Sequence, residues 1–189
     1  MKIEKGSAGY VQSQKKIRTI RTIALFAVVF AVFAVGMILN KGDRRNIYSI
    51  VAAVGCIPAA MSAVSMIMMW MRKPVTASFA EEMQRLAGDT RLLMELYITT
   101  SEHGLYLHAA AVKDDCVVAY APDPRSESVF SDVSRHIRIS LEQACGPVEV
   151  MITRNKEEFC RMLEELAAEE TSNPDLQEEI AQVLLSLSL

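Results

Sequence analysis

The 189-residue sequence is poor in the residues that carry most enzyme chemistry. It contains 3 histidines and 4 cysteines, and no two cysteines form a CxxC pair. No spacing of histidine and cysteine matches that of a zinc site. The sequence also lacks a glycine-rich phosphate loop, a nucleophile elbow and an HExxH motif. We therefore predict no catalytic residue, no metal ligand and no cofactor.

The cysteines fit a reducing compartment. Cys116, Cys145 and Cys160 lie in sequence typical of a folded domain. We interpret them as small buried thiols rather than as disulfide partners. Cys56 lies in an apolar stretch, and we place it in a membrane span.

Charge is missing from two long stretches. Residues 22–39 and 46–71 contain no Asp, Glu, Lys or Arg, and the mean hydropathy of the chain is positive. About 20 apolar residues are needed to cross about 30 Å of hydrocarbon. We predict a two-helix transmembrane hairpin with spans at 20–39 and 48–71 and a polar loop at 40–47. The first span alone could be a signal peptide, but a second apolar run directly after it argues against cleavage.

Positive charges flank these spans unevenly. They are concentrated in the basic N-terminal segment 1–19 and after the second span, whereas the loop holds three. The positive-inside rule then predicts that both termini are cytoplasmic. We expect an integral protein of the plasma (inner) membrane. The lipid bilayer is the first expected partner. The residues expected at the membrane interface are Lys15, Lys16, Arg18, Arg21, Tyr48, Trp70, Arg72 and Lys73.

Small residues recur at helical spacing in both spans. They allow two helices to approach closely, which matters in lipid because apolar burial contributes little there. Pro58 is expected to kink the second helix. The predicted helix-packing face consists of Ala24, Ala27, Ala31 and Ala34 in the first span and of Ala52, Gly55, Ala59 and Ser62 in the second.

The second span ends in a methionine-rich segment. Thioether sulfur is a ligand that Cu(I) prefers, but no two of these methionines have MxxxM spacing. Methionine also fills packing and lipid-facing positions well. We interpret the group as structural; it comprises Met61, Met66, Met68, Met69 and Met71.

Residues 75–189 differ in composition from the spans. Residues 72–189 hold 11 basic and 21 acidic residues, a net charge of 11 − 21 = −10. Hydrophobic periodicity predicts the order α-β-β-β-α-β-α-α. This order is that of a cytoplasmic α/β (α+β) domain with a mixed four-stranded sheet.

Local signals set the details of this domain. Ser78–Glu81 matches a capping box at the start of the first helix, and Gly88 is expected just past its end. Strands are predicted at about 91–100, 105–113, 116–120 and 148–153. In the first strand, alternation places on one face the residues Leu92, Met94, Leu96 and Ile98.

The order helix, three strands, helix, strand is similar to the core of the restriction-endonuclease-like nucleases. That resemblance implies an acidic residue on the second strand and an (Asp/Glu)-x-Lys on the third, which bind a divalent metal. Here the third strand, 116–120, reads CVVAY, with neither an acid nor a lysine. The resemblance is therefore one of element order only. Because an acidic domain repels a phosphate backbone, we predict no nucleic-acid partner.

The leading hypothesis is a membrane-anchored interaction or scaffold domain that binds a protein partner or a second copy of itself, using its acidic last helices. One alternative is a subunit of a small oligomeric transporter or pore lined by Ser62 and Ser65, although charges usually mark such paths. The other is a cryptic membrane-tethered enzyme with a degenerate nuclease-like element order, which would use Glu95, His108 or Asp114.

Overall fold

The structure is a computed structural model that describes residues 4–39 and 47–188. The predicted loop at 40–47 therefore lies outside the described residues, apart from Ile47. Contacts divide the chain into a helical unit, Val11–Lys73, and an α/β unit. The α/β unit comprises residues from Pro74 onward together with the N-terminal residues up to Tyr10. A backbone hydrogen bond joins these two segments of the α/β unit, since the N–H of Met94 donates to the carbonyl of Gly6 at 2.7 Å.

The helical unit consists of two long helices, α1 (Tyr10–Leu39) and α2 (Ile47–Trp70). The predicted boundary at residue 20 marks the start of the apolar sequence, whereas the helix itself begins ten residues earlier, at Tyr10. Lys, Arg and Gln are good helix formers, so the basic segment continues the helix instead of ending it. Pro58 lies inside α2, which continues on both sides of it.

Both helices are long and apolar enough to span a membrane. Their most apolar windows have mean hydropathies of 2.8 and 2.1, and only 11% of each window is buried. The core helix of a soluble protein is hydrophobic and mostly buried. These two helices instead expose large apolar side chains, among them Ile20, Phe30, Ile50 and Ile57.

Side-chain contacts show that α1 and α2 run antiparallel. The hydroxyls of Thr22 and Ser62 lie 2.9 Å apart. One turn earlier in α1 and one turn later in α2, Arg18 donates to the Ser65 hydroxyl at 2.6 Å. Contacts therefore move backward along α1 as they move forward along α2.

The α/β unit has the predicted element order and a mixed four-stranded sheet. Its strands follow the spatial order β1-β2-β3-β4. The first three are antiparallel, and β3 pairs in parallel with β4. The elements are α3 (Ala77–Ala87), β1 (Arg91–Thr99), β2 (Gly104–Lys113), β3 (Cys116–Tyr120), α4 (Glu127–Cys145), β4 (Glu149–Thr153), α5 (Lys156–Ala168) and α6 (Pro174–Leu187).

Helices cover both faces of this sheet. On one face, α4 and α6 enclose a core that includes Val133, Ile137 and Leu184. On the other face, α3 and α5 enclose a second core that includes Met83 and Phe159. The middle strands β2 and β3 are buried on both faces, which explains their nearly continuous apolar sequence.

Strand β1 changes faces in its middle. Leu93, Leu96 and Ile98 lie in the core under α4 and α6, whereas Leu92 and Met94 pack on the α3 and α5 side. The prediction that Leu92, Met94, Leu96 and Ile98 share one face is therefore wrong.

The cause of this change is the backbone of Glu95. Its φ is 57°, in the left-handed region that non-glycine residues rarely adopt. The two-residue alternation of side chains is interrupted there, while pairing with β2 keeps one register from Met94 opposite Ala109 to Leu96 opposite Leu107. The alternation of apolar residues in β1 gives no indication of this left-handed conformation at Glu95.

The helix boundaries follow ordinary capping chemistry, with one correction. Helix α3 begins at Ala77 after Thr76, and no side chain caps it by a hydrogen bond, so the predicted capping box at Ser78 does not form. Gly88 ends α3 as expected. The side chains of Asn155 and Asn173 cap α5 and α6 by accepting backbone N–H bonds.

Candidate functional site

In the helical unit, α2 presents its small residues to α1. Ala52 and Ala59 are buried, and Gly55 and Ser62 are partly buried. A Cβ atom added at Gly55 would lie 3.1 Å from a methyl carbon of Val29. The absence of a side chain at Gly55 thus allows the close approach of the two helices at this level.

Helix α1 uses a different face from the predicted alanine stripe. Ala24, Ala27 and Ala31 are exposed and Ala34 is partly buried, whereas Thr22 and Gly36 are buried. A buried hydroxyl needs a hydrogen-bond partner, and Thr22 finds one in Ser62. The contact face of α1 is therefore the one that carries the hydrogen bonds of Thr22 and Arg18. It is not the face that carries the alanines.

Several predicted interface residues join the two helices at one end. The Lys15 ammonium donates to the carbonyl of Arg72 at 2.6 Å and lies 5.9 Å from the centre of the Trp70 ring. The Trp70 indole N–H donates to the Thr19 hydroxyl at 3.0 Å. Lys16, Arg21, Lys73 and Tyr48 are exposed. The hydroxyls of Ser62 and Ser65, proposed above to line a path, bind α1 instead.

In the α/β unit, Glu95 is a buried carboxylate with a structural contact. Its Oε1 atom accepts the backbone N–H of Val75 at 2.9 Å. This bond fixes the chain just before α3. His108 occupies the opposite position on β2, between the Ala109 and Leu107 pairs.

His108 lies within a cluster of aromatic rings. The centres of the Tyr106, Tyr120 and Phe79 rings are 5.2, 5.8 and 6.3 Å from that of His108, and all three meet it edge to face. Burial lowers the pKa of His108 below its usual value. The imidazole is therefore neutral near pH 7, as an aromatic component of this cluster.

Asp114 stands at the far end of β2, about 20 Å along the strand from His108. Its carboxylate accepts the N–H groups of Asn173 at 2.6 Å and Ser172 at 3.0 Å. These two backbone bonds lower the pKa of Asp114. The structure thus does not bring Glu95, His108 and Asp114 together, and the two carboxylates each hold a loop.

A cleft that no sequence motif indicated opens at the carboxyl end of β4, beside the first turn of α4. Its volume is about 450 Å³, which lies within the usual range for ligand sites. In open α/β sheets, ligands commonly bind at the carboxyl ends of strands. The lining combines apolar and polar side chains: Glu127, Phe130, Met151, Ile152, Thr153, Arg154, Asn155, Glu158 and Met162.

Arg154 is the central charged residue of this cleft. Its guanidinium lies 4.1 Å from the centre of the Phe130 ring and 3.2 Å from the carboxylate of Glu127. Glu158 accepts a hydrogen bond from the Thr153 hydroxyl. Arg154 is thus oriented by the Phe130 ring and by the exposed carboxylate of Glu127. Exposed ion pairs of this kind contribute little to stability, so a binding partner can replace the contact with Glu127.

The neighbouring rim adds a second ion pair. Arg125 binds Asp123 through two nitrogens, at 2.8 and 2.6 Å. This pair lowers the pKa of Asp123, with a smaller contribution from Arg154. The sequence signal for this cleft is the polar turn after β4, because ligands commonly bind at the carboxyl ends of parallel strands. That signal could not be used, since the parallel pairing of β4 with β3 is visible only in the tertiary structure.

The thiols and the remaining histidines show no common site. Burial, followed by the nearby Glu149, raises the pKa of Cys116 to about 11, so this thiol is protonated near pH 7. His103 lies 4.0 Å from Asp132, beside a shallow groove at the β1–β2 turn. Within residues 4–39 and 47–188, no three His, Cys, Asp or Glu side chains are grouped so as to hold a metal ion.

No protein-family model, curated protein or solved structure matches this chain.

Proposed function

We propose that this chain is an integral membrane protein in which α1 and α2 anchor a cytoplasmic α/β domain, and that this domain binds a protein partner. The observation that supports the anchor is the exposure of both apolar helices, whose hydrophobic windows are only 11% buried. Water-exposed apolar surface of that extent is unfavourable by about 25 cal/mol per Å². A bilayer removes this cost.

Charge supports the proposed orientation. All the charged side chains that the structure describes in Val11–Lys73 are basic, and contacts between Lys15 and Arg72 and between Arg18 and Ser65 bring them to one end of the pair. Cations next to a span are retained on the cytoplasmic side. Both termini follow from that same end, so we place both in the cytoplasm.

The cleft supports partner binding by the domain. It offers Phe130, Met151 and Met162 as apolar contacts beside the charges of Arg154 and Glu158. A mixed lining of this kind suits a protein segment that carries both apolar and charged side chains, since apolar contacts contribute affinity and polar groups fix orientation. We place the partner site there.

Alkaline carbonate extraction of membranes from cells expressing the full chain tests the anchor. We expect the protein to remain in the membrane pellet and to be released only by detergent. Release into the supernatant by carbonate would contradict the proposal.

Cysteine labelling tests the orientation. In a chain with all four native cysteines replaced by serine, Asp43→Cys should react with a membrane-impermeant maleimide on intact cells. The matched variant Glu170→Cys should react only after the cells are opened. The reverse result would place the α/β domain outside.

Site-specific photocrosslinking tests the cleft. A benzoylphenylalanine at Asn155, on the cleft, should give a discrete crosslinked band in cells, and the added substitution Arg154→Glu should remove it. The same probe at Arg161, an exposed residue of α5 that does not line the cleft, is the control. Equal crosslinking from both positions would argue against a partner site in the cleft.

A further inference from the structure

The contacts between α1 and α2 define the depth at which each helix would leave the hydrocarbon. Residues 22–39 of α1 carry no charge and extend about 27 Å at the helical rise, close to the thickness of the hydrocarbon core. Thr22, the first residue of this segment, lies opposite Ser62. The hydrocarbon part of α2 should therefore end near Ser62, well before the end of its apolar sequence.

The rest of α2 lies alongside the charged turns of α1. Ser65 contacts Arg18, Trp70 contacts Thr19, and the carbonyl of Arg72 contacts Lys15. We name this layer, residues 15–21 of α1 and 64–73 of α2, the basic collar. Residues 15–21 extend about 10 Å along the helix, slightly more than one headgroup layer of a bilayer, about 5–8 Å.

The basic collar combines cations with exposed apolar side chains. Lys15 and Arg18 are held against α2 by their hydrogen bonds, whereas Lys16 and Arg21 are exposed and have no ion-pair partner among residues 4–39 and 47–188. No acidic residue is described in the helical unit. Around the cations, large apolar side chains are exposed: Ile17, Ile20, Val64, Ile67, Met68, Trp70 and Met71.

We infer that the basic collar is a binding site for the headgroups of anionic phospholipids. Lys16 and Arg21 would bind the phosphate groups, while the exposed apolar side chains enter the acyl boundary beside them. Amphipathic surfaces that pair basic residues with Trp and aliphatic side chains bind in this way. Charge complementarity to the anionic cytoplasmic leaflet favours lipid as the occupant. This inference rests on the proposed membrane anchor and names the lipid class that the anchor selects.

Lipid titration of the full-length protein in neutral detergent tests this inference. Melting temperature is followed while phosphatidylglycerol or phosphatidylcholine is added. We expect phosphatidylglycerol to stabilise the protein and phosphatidylcholine to have a much smaller effect. In the double variant K16Q/R21Q the apparent affinity for phosphatidylglycerol should fall roughly 30-fold, from about 1 kcal/mol for each cation.

The variant R138Q/R161Q is the matched control. It removes two exposed cations from the α/β unit and changes the net charge equally, so it should keep the full response to phosphatidylglycerol. Glycerol 3-phosphate at equal concentration should not stabilise either form, because it lacks acyl chains. An equal response to both lipids, an equal loss in the control, or stabilisation by glycerol 3-phosphate would each overturn the inference.

This result is separable from the fate of the anchor. A protein that resists carbonate extraction but shows no preference for phosphatidylglycerol would disprove the lipid site alone. A protein that carbonate releases would disprove the anchor itself. An acidic protein surface as the occupant would appear as an equal response to both lipids, together with a crosslink from Lys16 to another protein.

Discussion

The two units of this chain differ in how far their large apolar side chains are exposed. Phe159 in the α/β unit is completely buried between α5 and the sheet, whereas 72% of Phe30 in α1 is exposed. In the α/β unit, packing follows from removing apolar surface from water. In the helical unit, the helices are joined by close approach at Gly55 and by hydrogen bonds of Thr22 and Arg18. Apolar burial thus dominates the packing of the α/β unit, whereas close approach and hydrogen bonds join the two helices of the helical unit.

The largest test of this difference is one truncation made in both units. Phe159→Ala should lower the free energy of unfolding of the α/β unit by about 3–5 kcal/mol, because it leaves a cavity in a packed core. Phe30→Ala should change it by less than about 0.5 kcal/mol. Urea denaturation of the detergent-solubilised chain, followed by circular dichroism, measures both. Similar losses would show that the exposed face of α1 contributes to the same cooperative unit.

A smaller effect is expected from enlarging residues on the two helices. Gly55→Ile should destabilise the helix pair by about 1–3 kcal/mol, since its side chain would overlap Val29. Ala31 lies on the exposed face of α1, so Ala31→Ile should leave the stability of the helix pair unchanged. Thermal unfolding in detergent compares the two. A larger loss for Ala31→Ile would restore the alanine stripe as the contact face.

The polar contact inside the pair should have a modest effect. Thr22→Val removes the hydrogen bond to Ser62 and keeps the shape of the side chain, and we expect a loss of about 0.6–1.7 kcal/mol. Thr22→Ser preserves a hydroxyl and should lose less. Hydrogen exchange of the α1 amides is the measurement. Equal behaviour of both variants would mean that shape, not the hydroxyl, positions α1.

The smallest effect is a pH dependence in the α/β unit. Burial lowers the pKa of His108 in the folded state, so the unfolded chain takes up a proton first as pH falls. Stability from this group is complete above pH about 6.5 and is lost below that value, as pH falls through the lower folded pKa. Replacing His108 by Phe should flatten this part of the stability profile in urea titrations between pH 7 and 5. An unchanged slope would place the acid sensitivity elsewhere.

Much of the fold could be predicted because its signals are local. Helical and strand periodicity predicted the element order, and Gly88 marked the end of α3. The start of α1 was missed because basic residues end an apolar run without ending a helix. The sequence at Ser78 matches a capping box, but α3 begins earlier, after Thr76, and no side chain caps it.

The candidate cleft was beyond prediction for a different reason. Arg154 directly follows β4, whereas Phe130 and Glu127 lie in α4, and the parallel pairing of β4 with β3 brings these two parts of the chain together. Conversely, Glu95 and His108 stood out as polar residues in apolar strands, and Asp114 as an acid in the turn before β3. Glu95 and Asp114 proved to bind backbone N–H groups and His108 to lie among aromatic rings.

The sequence by itself determined which segments are apolar and how long they are, since hydropathy and period are properties of neighbouring residues. It also determined that the basic residues of the helical unit flank the apolar segments. Only the tertiary structure decided which face of α1 meets α2, where β1 changes faces, and which side chains share the cleft. Those outcomes depend on hydrogen bonds and pairings between residues far apart in the chain, such as Thr22 with Ser62 and Val75 with Glu95.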